Sequence, residues 1–360
     1  MKKRICFFSG DITRSGGTER VSVRLANALK EDGEYDVCFL SITEQAEKPF
    51  FPIDPEILRY KLAKKWMAPG PGYIPLIGKV RKFLKEKKID IIIDIDIVLD
   101  SLSIPATRGI NTKVVSWEHF TADFELSVLY RKLILKYSVK KTDYVVVLTD
   151  GDLAEYKERL GRKKNISRIY NPVDCDEKKT ITKKENIILT VGRLVPEKGT
   201  EYIKNVADKI LKKYPDWKWI ILGDGEERDN LNRFILDNNF QNQLILKGLV
   251  KNVSDYLKKA SIFAVTSKFE GLGLSMLEAR EMNVPCVAFG VKMGPLELIH
   301  DGLDGYLVNP FDCDEMAVKI EKLICDPALR ERFARNAYLS MDEFRIDKIT
   351  KQWKEVLELL

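Results

Sequence analysis

The sequence predicts an α/β protein of two doubly wound domains, each a parallel sheet covered by helices. Three observations carry that prediction. Short β-type runs alternate with helical stretches along the whole chain. Some runs are apolar on both faces, as in Ile91-Ile92-Ile93, which suits strands buried beneath helices. The alternation breaks near residue 171 and then restarts, and 360 residues suffice for two domains with their own cores.

Taken in order, Arg4 to Ser9 reads as a strand and Gly10 to Thr18 as a glycine-containing loop. Glu19 to Asp32 reads as a helix, with Val21, Val23, Leu25, Ala28 and Leu29 apolar and Gly33 as its stop. Further strands are expected at Tyr35–Leu40, Ile89–Ile95, Lys113–Trp117 and Asp143–Thr149, with helices at Pro75–Lys88 and Phe124–Lys141. Asn171-Pro172-Val173-Asp174 is a turn, and the polar run Lys178 to Glu185 reads as a linker. Strands resume at Asn186–Val191, Trp217–Leu222, Leu244–Lys247, Ser261–Thr266 and Pro285–Phe289. Helices close the chain at Asp312–Asp326, Pro327–Leu339 and Met341–Leu360. The domain boundary therefore falls near residue 171, dividing the chain into 1–170 and 171–340 ahead of the last helix at 341–360.

Composition excludes several classes. With 45% hydrophobic and 32% charged residues the chain is neither disordered nor fibrous. No apolar run approaches a membrane span, and the start Met1-Lys2-Lys3-Arg4 lacks a signal-peptide core, so a cytoplasmic location is expected. Six scattered cysteines and two histidines suit reduced thiols rather than disulfides or a zinc site. Residues 1–170 hold 31 Lys and Arg against 23 Asp and Glu, whereas the rest of the chain is slightly acidic. The basic excess peaks at 59–88, where ten basic residues face only Glu86.

Three segments join a strand to a helix and could carry chemistry. In Ser9–Glu19, Gly16 and Gly17 let backbone approach a ligand at a helix N-terminus; a tight turn with Thr18 as N-cap explains the same residues. In Gly192–Gly199, Arg193 offers a planar fork and Lys198 a point charge, which suits a diphosphate, although a solvated basic loop looks similar. In Phe269–Ala279, Glu270 precedes a glycine-rich turn and Glu278 follows two helical turns later. The amides of Leu272, Gly273 and Leu274 would face an anion. No dinucleotide or P-loop fingerprint is present, which argues against a nicotinamide dehydrogenase. His119 ends a strand, where ligands bind in open α/β sheets, while His300 suits a capping role near a helix end. Asp94-Ile95-Asp96 has the form of a metal–diphosphate motif but lies in an Ile-rich strand, and reads as structural.

Together these pieces resemble glycosyltransferase family 4, the retaining GT-B enzymes. The matching segments are Gly16-Gly17-Thr18-Glu19, Trp117-Glu118-His119, Asn171–Asp174, Gly192-Arg193…Lys198-Gly199, Gly223-Asp224-Gly225, Glu270…Glu278 and Asp301-Gly302…Gly305–Val308, in family order across nearly the whole chain. The resemblance implies two Rossmann-like domains facing a cleft, with the C-terminal helix crossing back to the N-terminal domain. It implies an acceptor site in the N-terminal domain and a nucleotide-sugar site in the C-terminal one. Arg193 and Lys198 would hold the diphosphate and stabilise the leaving nucleotide, and Glu278 would hold the ribose. Glu270, with the amides of Gly271, Leu272, Gly273 and Leu274, would hold the donor sugar. Gly16 and Gly17 would let the first loop close over the diphosphate, and His119 would sit near the reacting sugar. No metal or other cofactor is required, because Arg193 and Lys198 supply the charge. The family favours UDP as the nucleotide. Trp117-Glu118 departs from the small or polar residues common before this histidine.

The basic segment then gains a purpose. Leu76, Ile77, Val80, Phe83 and Leu84 form one helical face flanked by Lys79, Arg81, Lys82, Lys85, Lys87 and Lys88, with Trp66, Met67 and Tyr73 upstream. Such a segment suits an anionic bilayer surface, hence a peripheral enzyme with a lipid-linked glycan acceptor; a helix packed on its sheet has the same pattern. No stacking module accompanies the charge, so nucleic acid is not an expected partner. Two other readings stand beside the transferase: a nucleotide-sugar epimerase of related fold, and a non-catalytic partner subunit.

Overall fold

The computed structural model describes residues 2–65, 71–173 and 183–360. Trp66, Met67 and most of the expected linker lie outside them. The chain forms two compact units, Met1–Pro172 with Phe344–Leu360, and Val173–Glu343.

The first unit runs β1 (Lys3–Ser9), α1 (Gly17–Glu31), β2 (Tyr35–Ser41), β3 (Leu58–Lys61), α2 (Ile74–Lys87), β4 (Ile91–Asp94) and α3 (Ile97–Ala106). It continues with β5 (Lys113–Trp117), α4 (Ala122–Ser127), α5 (Leu129–Lys141), β6 (Tyr144–Val147), α6 (Asp150–Glu158) and β7 (Ile166–Arg168). Its seven strands are parallel in the order β3-β2-β1-β4-β5-β6-β7. The sequence reading missed β3 and β7, two short edge strands of mixed polarity, each paired on one side only. It also ran α4 and α5 together, whereas Val128 is extended and breaks the helix.

The second unit runs β8 (Ile187–Val191), α7 (Thr200–Leu211), β9 (Lys218–Leu222), α8 (Arg228–Asp237), β10 (Leu244–Gly248), α9 (Val253–Lys259) and β11 (Ile262–Val265). Then come α10 (Leu274–Glu281), β12 (Cys286–Phe289), α11 (Gly294–Leu298), β13 (Gly305–Val308), α12 (Cys313–Cys325) and α13 (Pro327–Leu339). Its sheet is parallel in the order β10-β9-β8-β11-β12-β13. Strand order reverses at β8/β11 here and at β1/β4 in the first unit, and in open α/β sheets ligands bind beyond the carboxyl ends of strands at such a switch point.

The last helix, α14 (Ile346–Glu358), belongs to the first unit. Trp353 stacks edge-on against Trp117 at 4.8 Å, Lys354 pairs with Asp32 and Glu34 at 2.8 Å, and Lys3 Nζ donates to the Leu357 carbonyl. The helix begins at Ile346 rather than near Met341, after a 3-10 turn over Ser340–Phe344.

Helix α2 buries Leu76, Val80, Phe83 and Leu84 in the core of the first unit. The apolar face of α2 therefore meets the sheet and not a bilayer, contrary to the membrane expectation for this face. Of the basic residues around it, Lys79 donates to the Leu62 carbonyl, Arg81 to the carbonyls of Ala106 and Arg108, and Lys82 pairs loosely with Glu86 at 3.7 Å. Lys85 stays exposed.

Candidate active site

In the second unit the loops after β8 and β11 meet at the switch point. A 3-10 turn, Pro196–Lys198, follows β8 and passes through Gly199 into α7. Gly199 has φ +67°, and a Cβ there would lie 2.0 Å from the Thr266 carbonyl oxygen. Only glycine allows that approach. Thr266 Oγ1 donates to the Lys198 carbonyl at 3.0 Å, and the Lys268 amide donates to the Glu197 carbonyl at 2.8 Å. This stitching sets Lys198 Nζ 2.6 Å from Glu270 Oε1. Ser267 Oγ donates to the same Glu270 oxygen, also at 2.6 Å.

Arg193 is exposed and makes no ion pair among the described residues, so its guanidinium is available to a ligand. Glycine at 273 caps α10 with φ +81°, and a Cβ there would press on Met276. The amides of Leu272, Gly273 and Leu274 thus belong to the start of an eight-residue helix, where N–H groups lack intrahelical partners. Gly271 accepts from the Gly294 amide at 2.7 Å, which ties this loop to the next strand connection. Glu278 lies half-buried on α10. A pocket between the two loops is lined by Gly192, Arg193, Lys198, Thr200, Ser267 and Glu270 among others. The structure therefore gathers Arg193, Lys198 and Glu270, two cations and a carboxylate, around one pocket, and the loop from Glu270 leads into the start of α10. Such a set can neutralise an anion and accept from hydroxyls.

In the first unit, the Gly16–Gly17 turn follows β1 and His119 follows β5, both at carboxyl ends of strands in one sheet. Helix α1 starts at Gly17 with Gly16 as N-cap, so Thr18 is not the cap. The Glu19 carboxylate occupies the space a Gly16 Cβ would need, 2.2 Å from it, and accepts from Thr18 Oγ1 at 2.9 Å. His119 is buried, its ring tilted against Trp117 with centroids 4.7 Å apart, and its Nε2 has no hydrogen-bond partner among the described residues. Burial pushes the imidazole pKa down to about 3, so His119 is neutral.

Beneath His119 lies a buried acidic network. Ser116 Oγ lies 2.7 Å from Asp100 Oδ2 and 2.6 Å from Glu118 Oε1, while Ser138 bonds to Asp100 and Ser103 to Asp94. One hydroxyl proton cannot serve two carboxylates, so a carboxyl must keep its own proton. Burial raises Asp94 to about 7 and Asp100 and Glu118 well above the usual carboxylate range. Asp96 caps α3 and pairs with Arg131 at 2.9 Å. Both carboxylates of Asp94-Ile95-Asp96 thus have structural work. His300 does not cap a helix; its Nδ1 bonds to Asp304, which pairs with the buried Arg280 at 2.8 Å.

A model of glycosyl transferases group 1 matches residues 174–340, and one of glycosyltransferase family 4 matches residues 15–177. An uncharacterized glycosyltransferase of Haemophilus influenzae is 34% identical over 99% of this chain and 100% of its own. This chain belongs to glycosyltransferase family 4. Also similar, at 27% identity over 95% of both chains, is the Campylobacter jejuni GalNAc-alpha-(1->4)-GalNAc-alpha-(1->3)-diNAcBac-PP-undecaprenol alpha-1,4-N-acetyl-D-galactosaminyltransferase. Anabaena HepE, solved in complex with UDP and glucose, has a TM-score of 0.84 to this glycosyltransferase at 19% identity, covering 99% of each chain. The fold is accordingly the two Rossmann-like sheets of the GT-B glycosyltransferases.

Sequence reasoning missed Ser267 and Thr266, which orient Glu270 and the Lys198 turn in this glycosyltransferase. Their one signal was position, directly after the strand that ends before Glu270. No helix among the described residues is long and apolar enough to cross a membrane.

Proposed function

We propose that this glycosyltransferase moves a hexose or N-acetylhexosamine from a UDP-sugar to a lipid-linked glycan, with retention and without a metal ion, at the cytoplasmic face of the membrane. The observation that carries the donor assignment is the convergence of Arg193, Lys198, Glu270 and the α10 N-terminus beyond β8 and β11. As the glycosidic bond breaks, the departing diphosphate gains charge, and fixed cations and amides stabilise it more in the transition state than in the ground state. Arg193 grips it with a fork, Lys198 adds a point charge, and the helix start supplies N–H groups. These residues do the work that a divalent ion would otherwise do. Glu270, oriented by Ser267, accepts from the sugar hydroxyls, and Glu278 accepts from the ribose. The neutral His119 presents an imidazole that can hydrogen-bond a sugar hydroxyl without adding charge.

UDP is favoured by the HepE complex, and a lipid carrier by the polyprenol-linked substrate in the Campylobacter relative's name. The first unit takes the acceptor in this reading. The basic rim of α2, including Lys79, Arg81, Lys82 and Lys85, faces the membrane side. The test is sugar transfer from UDP-sugars to an undecaprenyl-diphosphate-linked glycan by wild type, Lys198→Ala and Glu270→Ala. Rates at least about 10²-fold below wild type are expected in both variants. Wild-type rates in either variant would overturn the site.

A further inference from the structure

The outer face of α5 exposes an apolar wedge. Leu129, Tyr130 and Leu133 are 74%, 45% and 63% exposed, while Leu135 and Val139 of the same helix lie in the core. Leu129, Leu133, Lys136 and Lys140 follow at helical spacing and form one outward stripe, apolar where the helix begins and basic where it ends. The helix contains no acidic residue, and Lys136, Lys140 and Lys141 make no ion pair among the described residues. Arg131 turns inward instead, to Glu125 and Asp96. Acids on adjoining elements are already engaged, Asp123 with Arg159 and Asp143 with Lys113.

At the basic end opens a cavity of about 480 Å³ whose lining includes Arg108, Asn111, Lys113, Tyr137, Lys141 and Asp143, the last paired with Lys113. It lies at the amino-terminal ends of β5 and β6, the opposite end from His119, so it is separate from the candidate active site. Charge decides the occupant. A second copy of this face has no acidic residue to offer the lysines, whereas an anionic bilayer offers hydrocarbon to the wedge and phosphates to the cations.

We propose that α5 docks this enzyme on an anionic bilayer. Leu129, Tyr130 and Leu133 enter the interface, and Arg108, Lys136, Lys140 and Lys141 hold lipid phosphates, with the cavity seating a headgroup. The insertion that the sequence assigned to α2 thus falls to α5. This inference rests on the lipid-linked acceptor of the proposed function.

The experiment is co-sedimentation of the full chain with vesicles of equal parts phosphatidylglycerol and phosphatidylcholine. Leu129→Asp/Leu133→Asp is expected to bind at least about tenfold more weakly than wild type, and Lys136→Glu/Lys140→Glu to lose binding as well. Both variants change exposed side chains, so their melting temperatures and their transfer to a lipid-free glycan without vesicles should match wild type. Wild type that does not bind the vesicles, or variants that bind equally, would overturn the proposal. So would a wild-type dimer that the leucine variant abolishes while keeping vesicle binding. Vesicle binding without any sugar transfer would count against the function alone and leave the docking helix standing.

Discussion

Burial of His119 makes a quantitative prediction about acid stability. In the unfolded chain its imidazole takes a proton near pH 6.5, whereas in the folded protein it does so only at about 3. Below pH 6.5 the unfolded state therefore binds more protons, and this residue's contribution falls as pH drops toward 3 and is constant above 6.5. At about pH 5 the gap is about 1.5 pH units, or about 2 kcal/mol at 1.36 kcal/mol per unit. The perturbation is His119→Phe, which keeps a ring and removes the titration. The assay is urea unfolding of both proteins at about pH 8 and about pH 5. Wild type should lose about 2 kcal/mol more than the variant between the two conditions. The buried carboxyls drift in both proteins, because burial raises Asp94, Asp100 and Glu118 and their protonation favours the fold at lower pH. Their effect cancels in the comparison. Equal losses would refute the claim that the fold holds His119 neutral.

Two other predictions concern charged groups. Lys198→Ala should lower kcat by about 10²–10³, the cost seen for removing one preorganised transition-state donor, and Glu270→Ala should fall at least as far while each melts like wild type; a loss under tenfold in either would contradict the assigned roles. Asp304→Ala leaves the Arg280 guanidinium, 1% exposed, without its carboxylate, and should cost about 3–5 kcal/mol in unfolding experiments. A change below 1 kcal/mol would mean that Ser340 and solvent satisfy that arginine.

Much of this was legible in the sequence because buried parallel strands have to be apolar on both faces, and Ile91-Ile92-Ile93 or Ile262–Val265 leave little choice. Edge strands such as Leu58–Lys61 escape that constraint, since their one-sided pairing tolerates arginine and lysine. The candidate site residues are short-range motifs on strand–helix turns and can be read by spacing. Spacing alone does not give their convergence, which only the resemblance implied: Lys198 and Glu270 are 72 residues apart and meet because β8 and β11 are neighbours. The sequence leaves the face of α2 open between sheet and bilayer for a related reason. An amphipathic helix has the same periodicity whether its apolar side meets a sheet or a bilayer, and only the fold shows Val80 and Phe83 in the core. On α5 the converse holds, because Leu129 and Leu133 look like core residues until their exposure is seen.

The central claim is that the second unit binds a nucleotide diphosphate through Arg193 and Lys198. Titration calorimetry with UDP, with and without EDTA, tests it most directly on wild type and Arg193→Ala/Lys198→Ala. Wild type should bind UDP with an affinity that EDTA does not alter, and the double variant should lose that binding. Wild type that ignores UDP, or a double variant that binds it equally well, would contradict it.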